Sequence, residues 1–312
     1  MPMRTTYHIR QPIADRFLEI AKSAPCQSRR KPDRFIDKMK QNRGGVGILT
    51  GMGLDEDGLE RKNPVIAALG DSVTAGHFEP LTFGDHTDWF EQVLQRANVK
   101  PQEIKLYSEA FCDPAKISET LTLLGSKIPD DQGFPPMEIV DVRESYVEKF
   151  RMKLIDQYEE TSVSAINAGI AGDNLTMMEK RLFRDVIRYQ PDLVLINGSL
   201  NWSDEMGSTE FYKTLLTGMV HRIQTETEAD IILLTPNGMV GSAHSCEMLE
   251  QRVKAIREVA LEQEVCLADT YAIWEAARNS GCPWEEMLAN RRNHPSPEGH
   301  EVYALTLMKL FE

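Results

Sequence analysis

Long apolar runs are missing from this chain. No segment approaches 18 consecutive apolar residues, so none reads as a membrane-spanning helix. The stretch MPMRTTYHIRQPIADRF lacks the apolar centre of a secretory leader, and the expectation is a cytoplasmic protein without membrane insertion. Paired cysteines are missing as well. Cys26, Cys112, Cys246, Cys266 and Cys282 make an odd number with no Cys-x-x-Cys spacing, which fits free thiols in a reducing compartment rather than a disulfide framework. There is no long basic run, and the net charge is −13, which argues against nucleic acid or anionic membrane as a partner. The glycine clusters Gly44-Gly45-Val46-Gly47 and Gly51-Met52-Gly53 lack both Gly-Lys-Ser/Thr and a strand feeding them. They match neither the phosphate loop nor the dinucleotide fingerprint. His77 with Asp85, His86 and Asp88 supplies metal-binding residue types, but no standard zinc spacing, and reads as a polar loop. No metal or cofactor is expected. Repeats and low-complexity tracts are absent.

What remains is an ordinary globular composition, 41% hydrophobic over 312 residues, enough for one large α/β domain with an extension or for two domains. Residues 1–62 differ from the rest and read as an N-terminal extension packing on the main domain, turn-rich or flexible, with a short helix over Ile13–Ala21. From Asn63 onward, short continuous apolar runs alternate with helical periodicity. The strands are expected at Val65–Leu69, Ser162–Asn167, Leu193–Ile196, Ile231–Leu234 and Val265–Ala268. The helices are expected at Asp88–Arg96, Arg143–Tyr158, Leu175–Tyr189, Phe211–Ile223, Met248–Leu261 and Val302–Phe311. Apolar strands of this kind between helices predict a mainly parallel five-stranded sheet covered on both faces, an α/β three-layer sandwich over residues 63–312. The stretch 77–141 is too long and irregular for a simple crossover and is expected to be an insertion covering the active site.

The first strand runs into Gly70-Asp71-Ser72-Val73-Thr74-Ala75-Gly76, a tight turn and a helix start. Open α/β sheets place ligands at that edge, and the first amides of a helix have no internal acceptor. Asp71 or Ser72 acting only as a helix cap is the plainer alternative. Near the C-terminus, Asn293-His294-Pro295-Ser296-Pro297-Glu298-Gly299-His300 places His294 in a loop before a helix. A serine hydroxyl needs a base to become a nucleophile, and histidine is the usual one. The developing oxyanion needs fixed donors, which two strand ends could supply: Asn167 to Asn174, rich in glycine, and Asn197-Gly198-Ser199-Leu200-Asn201-Trp202. His244 near Cys246 does not sit in a nucleophile turn. Trp202, Trp274, Trp284 and Phe83 read as core or pocket wall, and Trp202, adjoining Asn201, is the one that could face a substrate.

These four blocks, in this order, resemble the SGNH (GDSL-type) hydrolases, a family of serine esterases and acylhydrolases, over roughly residues 63–312. The resemblance implies the flavodoxin-like SGNH hydrolase fold, with Ser72 as nucleophile and His294 as base. It also implies the Ser72 amide, the Gly172 amide and the Asn201 side chain as oxyanion donors, Asn197 being a rival to Asn201. It implies a carboxylic ester hydrolase working through an acyl-serine on a small-molecule acyl ester, possible substrates including acetylated carbohydrates and small metabolites. The chain departs from the family at Arg291, three residues before His294, where the triad aspartate usually stands. Arginine cannot accept the imidazole N–H. Either a backbone carbonyl, Asn290 or Asn293 orients His294, or the triad is reduced to a dyad. The competing reading is a catalytically weak or inactive ligand-binding member of the same fold. The oligomeric state is not legible in the sequence.

Overall fold

The computed structural model describes residues 11–41, 63–78, 95, 99–105, 139–159, 161–289 and 292–312. The expected helix at Asp88–Arg96 apart from Gln95, the glycine clusters, Asp85, His86, Asn290 and Arg291 lie outside them, as does most of the stretch 77–141. The ends of that stretch are described.

Five parallel strands form the main sheet: β1 (Val65–Gly70), β4 (Ser164–Gly169), β5 (Leu193–Asn197), β6 (Asp230–Leu234) and β7 (Cys266–Ala268), in the order β4-β1-β5-β6-β7. β2 (His77–Phe78) and β3 (Ile139–Val140) form a separate antiparallel pair. Alternation along the central strands sorts the core into two layers. Ala67, Leu69, Val194, Ile196, Ile231 and Leu233 face one side. Ile66, Ala68, Leu193, Leu195, Ile232 and Leu234 face the other. The first side is covered by α5 (Leu175–Asp185), α6 (Thr209–Glu226) and α7 (Ala243–Glu262). The second is covered by α2 (Asp33–Gln41), α4 (Tyr146–Gln157) and α9 (Pro297–Met308). Burial on both faces is why β1, β5 and β6 each carry at least four consecutive apolar residues, and the result is an α/β three-layer sandwich.

Residues 11–41, the described part of the N-terminal stretch, carry two helices, the first over the short helix expected at Ile13–Ala21. Phe17 of α1 (Gln11–Ser23) is fully buried against Trp274 of α8 (Thr270–Asn279), with ring centroids 4.8 Å apart. Phe35 and Met39 of α2 join the core on the side of β6, where the Phe35 N–H donates to Asp230 Oδ2 at 2.9 Å. Between the two helices, Ser28 Oγ accepts the Leu267 N–H at 3.1 Å and so occupies the open edge of β7. The last helix starts at Pro297, five residues before the apolar stripe suggests, because Ser296 caps it and proline is preorganised for its first turn. β4 runs two residues later than its apolar pattern, being an edge strand that is only half-buried. The helix after it stops at Asp185, and a single 3-10 turn at Ile187–Tyr189 completes the stretch.

Register positions the site. Gly70 at the end of β1 is level with Gly169 of β4 on one side and Asn197 of β5 on the other. The chain leaves β1 for β4 and then crosses back to β5, so the strand order reverses around β1. That is the crevice where such sheets bind ligands.

Candidate active site

Ser72 opens α3 (Ser72–Ala75), a single turn capped by Asp71, whose carboxylate accepts the Val73 N–H at 2.9 Å. Asp71 thus caps the turn, and Ser72 opens it directly after the end of β1. The turn is seated on β4. A Cβ on Gly169 would lie 2.2 Å from the Ala75 amide nitrogen, so only glycine lets α3 come this close. The turn is pinned from two more sides. Thr74 Oγ1 meets the Tyr146 hydroxyl at 2.9 Å, and the Thr74 carbonyl accepts from Asn167 Nδ2 at 2.8 Å.

His294 comes from the loop before α9. That loop is held by an Ala289 N–H to His294 carbonyl bond at 2.7 Å and a Ser296 N–H to Met287 carbonyl bond at 2.8 Å. It is laced to the loop after β6 as well. Asn237 Nδ2 donates to the Asn293 carbonyl at 2.9 Å, and the Val240 N–H to the Arg292 carbonyl at 2.7 Å. Asn237 is itself fixed by the Tyr303 hydroxyl, at 3.0 Å from its Oδ1. The outcome is a contact between residues 222 apart in sequence: Ser72 Oγ lies 2.9 Å from His294 Nε2, buried, with Ser72 6% and His294 5% exposed. A hydroxyl at this distance can pass its proton to the imidazole.

Gly172 and Asn201 lie on the loops after β4 and β5, the two strands whose ends stand either side of the end of β1. Gly172 has φ +78°, a left-handed conformation that glycine takes without strain, and it is exposed with open space around its Cα. Asn201 Nδ2 donates one hydrogen to the Asp173 carbonyl at 3.0 Å, and the same amide nitrogen carries a second. The rival, Asn197, is 1% exposed within β5, whereas Asn201 is half-buried on the loop. Trp202 lies in the core rather than towards a substrate. It packs edge-on against Tyr212 at 5.2 Å, and its indole N–H donates to the Gly207 carbonyl. His244 pairs with Asp204 at the surface, 2.7 Å away, and Cys246 sits on the same helix without contact to the serine–histidine pair.

The sequence reading gave no electrostatic role to four buried titratable groups, Asp71, His300, Arg252 and Arg181. Asp71 is 1% exposed, and burial raises its carboxyl pKa to about 7, against the opposing pull of the Val73 N–H. His300 is fully buried and held neutral, its pKa pushed well below the usual value by burial, and its Nδ1 accepts the Tyr146 N–H at 3.0 Å. Arg252 is 2% exposed, and its Nε donates to the Ser199 carbonyl at 3.0 Å, two residues before Asn201. Arg181 is 6% exposed and bonds the ends of β1 and β4 together with two carboxylates. Among the described residues no three His, Cys, Asp or Glu side chains gather as a metal site, and no helix is long and apolar enough to cross a membrane.

The family that the sequence matches defines the class of protein: an enzyme, a carboxylic ester hydrolase. More particularly, residues 132–302 match the model of the GDSL-like Lipase/Acylhydrolase family, over half of the chain, and the chain belongs to that family. The match spans Gly172, Asn201 and His294. Ser72 precedes it in sequence and is returned to it by the sheet. An acetylxylan esterase of Geobacillus stearothermophilus is 26% identical over 163 residues, 49% of this chain and 74% of that protein. Among solved structures, a variant acetyl xylan esterase of the same organism aligns at a TM-score of 0.52 and 20% identity, covering 79% of this chain and 94% of that one. LAE5, an alpha/beta hydrolase enzyme from the metagenome of Lake Arreo in Spain, aligns at 0.52 and 18%, covering 79% and 94%. At these identities the structural likeness bears on the fold alone.

Proposed function

We propose that the chain hydrolyses small acyl esters through an acyl-serine intermediate, removing acetyl groups from a carbohydrate or a small metabolite. The observation that carries the reading is the buried Ser72 Oγ to His294 Nε2 contact of 2.9 Å at the carboxyl end of β1. Ser72 Oγ attacks the ester carbonyl as its proton passes to His294. The carbonyl oxygen gains the negative charge, and the Ser72 and Gly172 amides and Asn201 Nδ2 donate to it. The C–O bond to the alcohol breaks, and the alcohol leaves with the proton from His294. Water then attacks the acyl-serine, with His294 taking its proton and returning it to Ser72. One ester and one water give one acid and one alcohol, and no cofactor enters the balance. The preference for acetyl rests on the acetylxylan esterase relative.

Three measurements test this. The parent protein should release acetate from acetylated xylo-oligosaccharides and turn over short-chain nitrophenyl esters, and it should be labelled by a fluorophosphonate at Ser72. Ser72→Ala should lose all three. Labelling that persists in Ser72→Ala at another serine refutes the nucleophile. Absence of turnover in the parent on every ester of an acyl-length panel favours the ligand-binding reading that Arg291 suggests.

A further inference from the structure

We propose that Arg181 is the positioning residue of the oxyanion hole, acting on Asn201 through Asp173. This rests on Asn201 being an oxyanion donor, as proposed above. Arg181 projects from α5 into the junction of the two loops that carry Gly172 and Ser72. Its Nη2 donates to the Gly70 carbonyl at 2.9 Å, the last residue of β1 and two before the nucleophile. Its Nη1 donates to the Ala168 carbonyl at 2.7 Å, next to the end of β4, and to Asp185 Oδ2 at 3.1 Å. Its Nε donates to Asp173 Oδ2 at 2.5 Å, and both side chains of this pair are buried, at 7% and 9% exposed. The flat, forked guanidinium is the side chain able to satisfy acceptors in several fixed directions at once.

The consequence lies in what Asp173 does with its other end. Its carbonyl accepts Asn201 Nδ2 at 3.0 Å. One residue is therefore anchored by its carboxylate to Arg181 and holds the Asn201 amide by its backbone, directly after Gly172. A donor contributes to catalysis only when fixed where the charge develops, and a shift of about 1 Å is enough to lose much of the effect. Arg181 and Asp173 thus set the direction of an amide that neither of them shares with the substrate.

Arg181→Lys keeps the positive charge and loses the fork. We expect it to lower kcat about 10-fold with KM unchanged, as a misaimed donor does, while Asn201→Ala lowers kcat by roughly 10²–10³-fold. In the Asn201→Ala background, Arg181→Lys should then cost less than about 2-fold, because the amide it positions is gone. A purely structural role does not produce this coupling. Asp173→Asn, which removes the carboxylate and keeps the carbonyl, should show the same dependence on Asn201 and serves if Arg181→Lys fails to fold. An undiminished effect of both variants in the Asn201→Ala background overturns the inference and leaves the oxyanion role of Asn201 standing. An Asn201→Ala enzyme with unchanged kcat overturns both.

Discussion

Replacing Asp71 by asparagine should change how stability depends on pH. Asp71 immediately precedes Ser72 and is 1% exposed, with Oδ1 on the Val73 amide and Oδ2 buried and, among the described residues, without a hydrogen-bond partner. Burial is the main cause of its raised pKa, from 3.8 to about 7, with the charge of Asp173 adding to it and His77 opposing. Below about pH 4 the carboxyl is protonated in both folded and unfolded chains. Between about pH 4 and pH 7 the folded chain keeps a proton that the unfolded chain has released, so stability falls as the pH rises. Above about pH 7 both states are ionised and the deficit is complete. A rise of about three units, at about 1.4 kcal/mol each, makes that deficit about 4 kcal/mol. Asparagine has the same shape and caps a helix as well as aspartate. Any fixed cost of burying its amide is the same at every pH. The measurement is urea unfolding of parent and Asp71→Asn from pH 4 to pH 8.5. The stability difference between them should move by about 4 kcal/mol in favour of the variant across that range. Parallel pH curves, or a difference moving in the parent's favour, would refute the assignment of a buried, reluctantly ionised carboxyl.

Three further outcomes follow from the geometry. His294→Ala should abolish nitrophenyl ester turnover to within background while leaving the urea midpoint near that of the parent; retained turnover would remove His294 as the base. Gly169→Ala places a Cβ 2.2 Å from the Ala75 backbone, which cannot yield as a side chain would, and should cost at least about 1–3 kcal/mol and slow fluorophosphonate labelling of Ser72. Phe17→Ala empties a fully buried site against Trp274 and should cost about 3–5 kcal/mol in thermal or urea unfolding, whereas a loosely attached extension would show almost no change.

The sequence makes the sheet legible where physics leaves a strand little choice. β1, β5 and β6 are covered on both faces and each carries at least four consecutive apolar residues, so their places could be read directly. β4 is an edge strand exposed at Ser164, and its weaker pattern shifts the reading by two residues. α2 hides because only Phe35 and Met39 of its nine residues are buried among charged neighbours. Ser72 and His294 were legible from residue type and loop position, since a buried pair of this kind needs a turn at each end. Arg181 was not. Its spacing to Asp185 looks like a surface ion pair at i,i+4, and nothing local reveals that its other acceptors are two strand carbonyls brought from 13 and 111 residues away.

The small β2–β3 pair has a consequence for how the molecule can vary. His77 faces Val140, Phe78 faces Ile139, and the Asp141 N–H closes on the Gly76 carbonyl at 3.0 Å. The chain thus departs from the hydrolase core and rejoins it through a single doorway, immediately after the turn that carries Ser72. The described ends of the stretch pair with each other and add no strand to the main sheet. Lengthening such an excursion costs little, about 0.6 kcal/mol of closure entropy per doubling. The β2–β3 junction is therefore a natural splice point, where a segment can be shortened or exchanged beside Ser72 without redrawing the fold that holds it.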